Sequence, residues 1–259
     1  MKLNLRVWLA AAVLALPLAS FSFAEEGGPE LDKAPVNIQD AESLQRGAQT
    51  FVNYCLSCHG ATMLRYNRLQ DIGLTEDQIK NNLMFTTDKV GNIMKVAMTN
   101  ADAKQWLGAA PPDLSLEARA RGADWLYTYL RSFYRDDSRP TGWNNAVFDK
   151  VGMPHVLWEL QGRQDPVYKT EKVNGKDVQT LVGVKLTQAG LLTHLDGEKA
   201  DTTDYDKRVG DLVNFMVYMS EPAQIHREQI GYAVVLFLLF ILLPLVYALK
   251  KDYWKDVEH

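Results

Sequence analysis

The chain has 259 residues, 28 of them basic and 32 acidic, for a formal net charge of −4. That length suffices for one good-sized domain with appendages, and the acidic balance disfavours binding of nucleic acid, which needs positive charge against phosphate. Hydrophobic residues make up an ordinary 47%, but they are unevenly spread: two apolar runs sit at the ends, and the material between them is polar and rich in turn residues.

The first run is MKLNLRVWLAAAVLALPLAS. Lys2 and Arg6 form a short basic region, Val7 to Leu18 an apolar core, and Ser22-Phe23-Ala24 places small residues at the usual cleavage positions. This is the pattern of an export signal cut before Glu25. Without it the chain counts 26 basic against 32 acidic residues, and the tail after Leu249 carries three of each, so a net of −6 belongs to the exported part. An acidic surface of that kind steers a basic partner.

A Gly/Pro-rich leader, Glu25 to Pro35, reads as extended. The first helix starts near Asp40, which can cap it, and Leu44, Ala48, Phe51, Val52 and Cys55 recur on one apolar face. This helix runs directly into Cys55-Leu56-Ser57-Cys58-His59.

Those are the only two cysteines in the chain, with a histidine directly after the second. C-x-x-C-H is the signature of covalent haem attachment. One turn of chain sets both sulfurs against the two vinyl groups of a porphyrin while His59 presents an imidazole to the iron, for which histidine is a standard proximal ligand. A thioredoxin-like motif expects a preceding strand, whereas here a helix precedes. Half of a zinc site would need two further ligands, and no other cysteine exists. A disulfide across two residues would close a tiny, strained loop. One motif means one covalently bound haem c, which fits a relay of single electrons better than multi-electron catalysis.

Farther on, Thr75 as N-cap with Gln78 completes a capping box, with Leu74 and Ile79 placed as a hydrophobic staple. Arg119 and Arg121 precede an aromatic-rich helix, Asp124 to Tyr134, and are candidate partners for anionic haem propionates. Tyr66 and Trp125 are candidates to pack on the porphyrin.

An electron carrier normally closes the sixth iron position with a strong ligand. Met216 and Met219 lie on a helical stripe and read as core, Met63 is too near the motif in sequence, and His226 and His259 are remote. Met153 stands in Val151-Gly152-Met153-Pro154-His155, where proline stiffens the loop and glycine allows close approach. It is favoured, with His155 as the rival and Met84, Met94 and Met98 not eliminated. Methionine would raise the potential relative to a second histidine.

Between Val167 and Val184, Asn174-Gly175 marks a tight turn between β-prone segments, so a small hairpin is expected. The last soluble helix runs roughly from Asp206 to Ser220, with Val209, Leu212, Val213, Met216 and Met219 on one stripe and Pro222 beyond its end. The second apolar run, Ile230 to Leu249, carries no charge in 20 residues. At the helical rise it spans about 30 Å, the thickness of the hydrocarbon layer. Lys250, Lys251 and Lys255 follow it, as positive charge on the cytoplasmic side does, and Tyr247, Tyr253 and Trp254 suit that interface. The expected plan is a cleaved signal over 1–24, an exported haem domain over 25–227, a transmembrane anchor over 228–249 and a cytoplasmic tail over 250–259.

Taken in order, Cys55-Leu56-Ser57-Cys58-His59, Tyr66-Asn67-Arg68-Leu69, Pro111-Pro112-Asp113-Leu114-Ser115, Arg119-Ala120-Arg121, Val151-Gly152-Met153-Pro154, Ser220-Glu221-Pro222 and Leu243-Pro244-Leu245-Val246-Tyr247-Ala248 followed by Lys250 resemble the cytochrome c1 family. The resemblance covers nearly the whole mature chain. It implies a mainly α, class I-like cytochrome c domain with long loops, a small β excursion and one C-terminal transmembrane helix. It further implies thioether bonds at Cys55 and Cys58, axial ligation by His59 and Met153, Arg121 near a propionate, and Tyr66 at the cofactor. The family loop often reads methionine-alanine-proline-proline, from which Met153-Pro154-His155 departs. The implied role is that of a non-catalytic redox subunit in the bacterial inner membrane. It would take electrons from a Rieske iron–sulfur subunit beside cytochrome b and pass them to a soluble c-type cytochrome. The alternative is a stand-alone anchored cytochrome or an oxidase haem subunit.

Overall fold

The computed structural model describes residues 30–173 and 176–256. The export signal, the Asn174-Gly175 turn and His259 lie outside the described residues.

The core is organised by two helices far apart in sequence. Helix α1, Ala41–Tyr54, begins where expected: the Asp40 side chain accepts the Ser43 N–H at 3.0 Å, satisfying one of the orphan donors of the first turn. Its apolar face (Leu44, Ala48, Phe51 and Val52) is buried. This face lies against the last soluble helix, Thr203–Ser220, whose Val209, Leu212, Val213, Phe215, Met216 and Met219 are buried. The last soluble helix starts earlier than the expected Asp206. The Asp201 carboxylate accepts the Thr203 N–H at 3.0 Å and stabilises one more turn. At the crossing, Phe51 and Phe215 pack with ring centroids 5.7 Å apart. Arg46 grips the Asp211 carboxylate through Nε and Nη2 at 2.6 and 3.1 Å.

Strand β1, Ala61–Arg65, follows the cysteine motif and pairs antiparallel with β2, Ile93–Met94. A 3₁₀ segment, Tyr66–Ile72, leads to α2, Glu76–Asn82, which carries the expected reciprocal capping box: Gln78 N–H donates to Thr75 Oγ1 at 3.2 Å, and Thr75 N–H to Gln78 Oε1 at 2.8 Å. Short helices α3, Asn100–Leu107, and α4, Glu117–Arg121, precede α5, Ala123–Arg131.

Helix α5 is shorter than expected. The helical pattern to Tyr134 breaks after Arg131, and Phe133–Arg135 becomes strand β3, paired antiparallel with β4, Trp143–Asn145. Tertiary partners take over the helix end: the Tyr129 carbonyl accepts from Asn145 Nδ2 at 2.7 Å and from Ser132. A four-residue helix α6, Trp158–Gln161, then opens a hairpin larger than expected, β5 over Gly162–Val173 and β6 over Lys176–Ala189, with two register shifts. Its base is tied to the core by Gln164 Nε2, which donates to the carbonyls of Arg131 and Phe133 at 2.8 and 2.9 Å. A short pair, β7 (His194–Asp196) and β8 (Lys199–Asp201), precedes the last soluble helix, here α7.

Beyond Pro222 a long apolar helix runs over Gln224–Tyr253, reaching past the 20-residue apolar run at both ends. It comprises α8 (Gln224–Phe237), a π segment (Leu238–Leu242) and α9 (Leu243–Tyr253). The widening has a local cause. Pro244 has no N–H and its ring crowds the carbonyl four residues back, and the Leu243 N–H bonds Leu238 O in the i→i+5 pattern. With a mean hydropathy of 2.7 and its flank exposed, this helix is a single-pass membrane anchor.

Candidate haem site

The cysteine motif is a turn built on the end of α1. Cys55 N–H still bonds Phe51 O at 2.8 Å, while the N–H groups of Cys58 and His59 both fold back to Cys55 O at 3.1 and 2.8 Å. One carbonyl thus gathers two thiols and an imidazole into a single loop. Both cysteines are free thiols, Cys55 buried and Cys58 half-buried. Burial, with the nearby Cys58, pushes the Cys55 thiol up to about 12, so it stays neutral. Among the described residues, no three His, Cys, Asp or Glu side chains gather into a metal site.

His59 decides whether the loop suits a haem. Its Nδ1 lies 2.7 Å from the Pro112 carbonyl. A carbonyl can only accept, so Nδ1 carries the proton and Nε2 keeps its lone pair for iron, the usual way an outer hydrogen bond fixes the tautomer and aim of a ligating histidine. The residues present fit the group.

The segment that supplies this carbonyl is itself held to the strand after the motif. Leu114 N–H donates to Gly60 O at 2.8 Å, Thr62 N–H to Asp113 Oδ2 at 2.9 Å, and Met63 N–H to Ser115 Oγ at 3.0 Å. Burial alone would raise the Asp113 carboxyl, but hydrogen bonds from Ser115 and Thr62 outweigh it and hold it below the usual range. Pro111–Ser115 therefore works as a brace for the His59 ring, a role its sequence alone did not reveal.

The methionines separate by environment. Met84, Met94, Met216 and Met219 are buried in the core, whereas Met63 is 69% exposed. Met153 is half-buried against the core, and the Tyr129 hydroxyl lies 3.5 Å from its sulfur. The rival His155 is 2% exposed, stacked on Phe133 (centroids 4.8 Å, planes 6° apart) and edge-on to Trp143 at 5.1 Å. Burial pushes its imidazole down to about 4.

Arg121 pairs with Glu117 at 3.0 Å and sets its guanidinium 4.5 Å from the Trp125 ring centre. Arg119 reaches Glu221 at 3.6 Å instead. Tyr66 is fully buried in the core, its hydroxyl 3.4 Å from Thr86 Oγ1. A cleft of about 640 Å³ between Arg65 and Lys95 is lined by none of the expected cofactor-binding residues, so the motif and its brace, not concavity, locate the site.

Tyr129 and Phe133 were not singled out from the sequence. Part of the signal was present: Trp125 and Tyr129 stand four residues apart, the spacing that stacks side chains on one helical face, whereas Phe133 lies beyond the helix end in β3.

The cytochrome C1 family profile matches residues 32–257. The chain is similar to the ammonia monooxygenase gamma subunit of Nitrosomonas europaea (48% identical over 251 residues, 97% of this chain and 98% of the relative). It is similar also to cytochrome c1 of Allochromatium vinosum (47% over 251 residues, 96% and 98%) and of Rhodospirillum rubrum (29% over 279 residues, 97% of each). With the haem-attachment turn, its oriented histidine and the membrane helix in place, this match settles the family: the chain is a membrane-anchored electron carrier with covalently bound haem c and belongs to the cytochrome c1 family.

Proposed function

We propose that this chain is the haem subunit of a quinol–cytochrome c reductase complex, taking single electrons from a Rieske iron–sulfur subunit beside cytochrome b and passing them to a soluble c-type cytochrome. The observation that carries the reading is the His59 ring, aimed by Pro112 within the Cys55–Cys58 turn, in a chain of this family. Haem, when bound, would supply a one-electron couple. Cys55 and Cys58 would hold it as thioethers, and His59 and Met153 would hold its iron. Two such fixed side chains would keep reorganisation small, as a relay requires. Arg121 binds a propionate in preference to Arg119, because its guanidinium sits over Trp125, which stacks on the same Tyr129 that touches Met153. Tyr66 walls the cofactor from the core side.

The haem domain, residues 25–227, faces the periplasm after cleavage of 1–24, the span 228–249 crosses the inner membrane, and 250–259 stay in the cytoplasm. Lys250, Lys251 and Lys255 support this orientation. The acidic exported domain favours a basic acceptor at low salt.

The test is a spectroscopic redox titration of the purified protein with Met153→Leu and His155→Ala variants. Loss of the sulfur–iron charge-transfer band in the first variant alone is expected. A wild-type midpoint too low to accept from a Rieske centre refutes the relay. The name of the Nitrosomonas relative offers a second reading, a carrier attached to a monooxygenase. Copurification with cytochrome b and a Rieske protein discriminates between the two.

A further inference from the structure

A side chain outside the predicted ligand set touches the atom on which the potential depends. The Tyr129 hydroxyl lies 3.5 Å from the Met153 sulfur, and its ring cannot easily move away. On one side Trp125 stacks on it with centroids 4.8 Å apart and planes 11° from parallel; on the other, Phe133 meets it edge-on at 5.0 Å. The Met153 loop is pinned to the same column at its far end, where the His155 ring lies flat on Phe133. At its near end Val151 is buried, and the Lys150 N–H is bound by Asn144 Oδ1 at 2.8 Å. Trp125, Tyr129, Phe133 and His155 thus form one continuous column, and Met153 hangs from it by its sulfur.

Resting on the reading of Met153 as the sixth ligand, we propose that Tyr129 is a positioning residue for it. The hydroxyl donates to one lone pair of the thioether, leaves the other for iron, and makes the sulfur a weaker donor.

The chemistry gives a sign. A thioether has two lone pairs in fixed tetrahedral directions, so occupying one selects the direction from which the other binds. A sulfur already giving density to an O–H gives less to iron, and the oxidised iron, the harder acid, loses more by this than the reduced. The bond therefore raises the midpoint potential. A phenol, with an ordinary pKa of about 10, keeps its proton at neutral pH and remains a donor. The sulfur also gives the buried hydroxyl a partner, which a buried polar group requires.

The experiment uses the full-length holoprotein in detergent. Tyr129→Phe keeps the ring contacts and removes only the donor. Expected are a charge-transfer band that persists but shifts in energy, and a midpoint lowered by about threefold in the reduced-to-oxidised ratio, about 28 mV at 59 mV per decade. Tyr127→Phe on the same helix, where the ring faces Arg131 at 4.4 Å, leaves band and midpoint unchanged. Should Tyr129→Phe fail to accumulate, 3-fluorotyrosine at position 129, a stronger donor of nearly the same shape, raises the midpoint instead. If Met153→Leu abolishes the band but both Tyr129 replacements leave the midpoint at the wild-type value, the role of Tyr129 is refuted and the ligand assignment stands. If Met153→Leu keeps the band, the ligand assignment itself fails, and the role of Tyr129 with it.

Discussion

Replacing Gly47 with alanine tests the crossing that carries the haem motif. A Cβ built there would stand 2.6 Å from Phe215 Cβ and 2.8 Å from the Asp211 carbonyl carbon, and closer still to that carbonyl's oxygen. Two of these three atoms are helix backbone and the third is a Cβ, so no rotamer change relieves the contact, and α1 and α7 must separate by about 1 Å to reach ordinary van der Waals distances. Overpacking costs about 1–3 kcal/mol, and the backbone contact places this case near the top of that range. Alanine returns about 1 kcal/mol of helix propensity over glycine, leaving a net loss of about 2 kcal/mol. For a domain of this size that lowers Tm by about 4–8 °C. The assay is thermal unfolding of the detergent-solubilised holoprotein by far-UV circular dichroism, with Gly91→Ala as control, since nothing lies within 4 Å of a Cβ at that position. A Gly47→Ala protein as stable as wild type would refute the close-crossing argument. Because α1 ends in Cys55, separation of the helices should also reduce haem incorporation, read as the ratio of Soret to protein absorbance.

Asp211→Asn is expected to cost about 1–2 kcal/mol in denaturant unfolding, because it removes the close charged acceptor of the Arg46 guanidinium and leaves only Glu42 at 3.8 Å, while Arg46, half-exposed, recovers part of its hydration. The Asp124 carboxylate accepts the Ala34 N–H at 2.9 Å and pairs with Lys33, which together hold it below the usual carboxylate range. A group depressed in the folded state lends stability that is complete above its unfolded value, about 3.9, and is lost as pH falls through the folded value. Asp124→Asn should therefore lower Tm at neutral pH and flatten its fall below about pH 4; an acid limb as steep as the wild type's would count against the assignment. Alkaline carbonate is expected to leave the full chain in the membrane pellet and to release a chain lacking 224–253, as measured by immunoblot of the two fractions.

Helix starts were readable where the signal is chemical and local. Asp40 and the Thr75–Gln78 box cap their helices with the side chains the spacing named, because a cap needs only the next three residues. The same holds for the cysteine turn and for the charge-free run that makes the anchor. The end of α5 was not readable, because Asn145, from a distant strand, claims the Tyr129 carbonyl. Nor was the length of the β5–β6 hairpin, whose base is held by Gln164 against backbone carbonyls 31 and 33 residues away.

The amino-acid order by itself determined the attachment chemistry, the one-haem stoichiometry and the membrane anchor. Each follows from adjacent residues: two thiols and an imidazole within five positions, and 20 consecutive residues without charge. Only the tertiary structure decided that Pro112 aims His59, that Gly47 lets two helices nearly touch at the backbone, and that Tyr129 meets the Met153 sulfur. Those contacts join residues 24 to 168 positions apart, and no local propensity sets such a distance; it is set by how the buried faces of the two core helices and the aromatic column pack together.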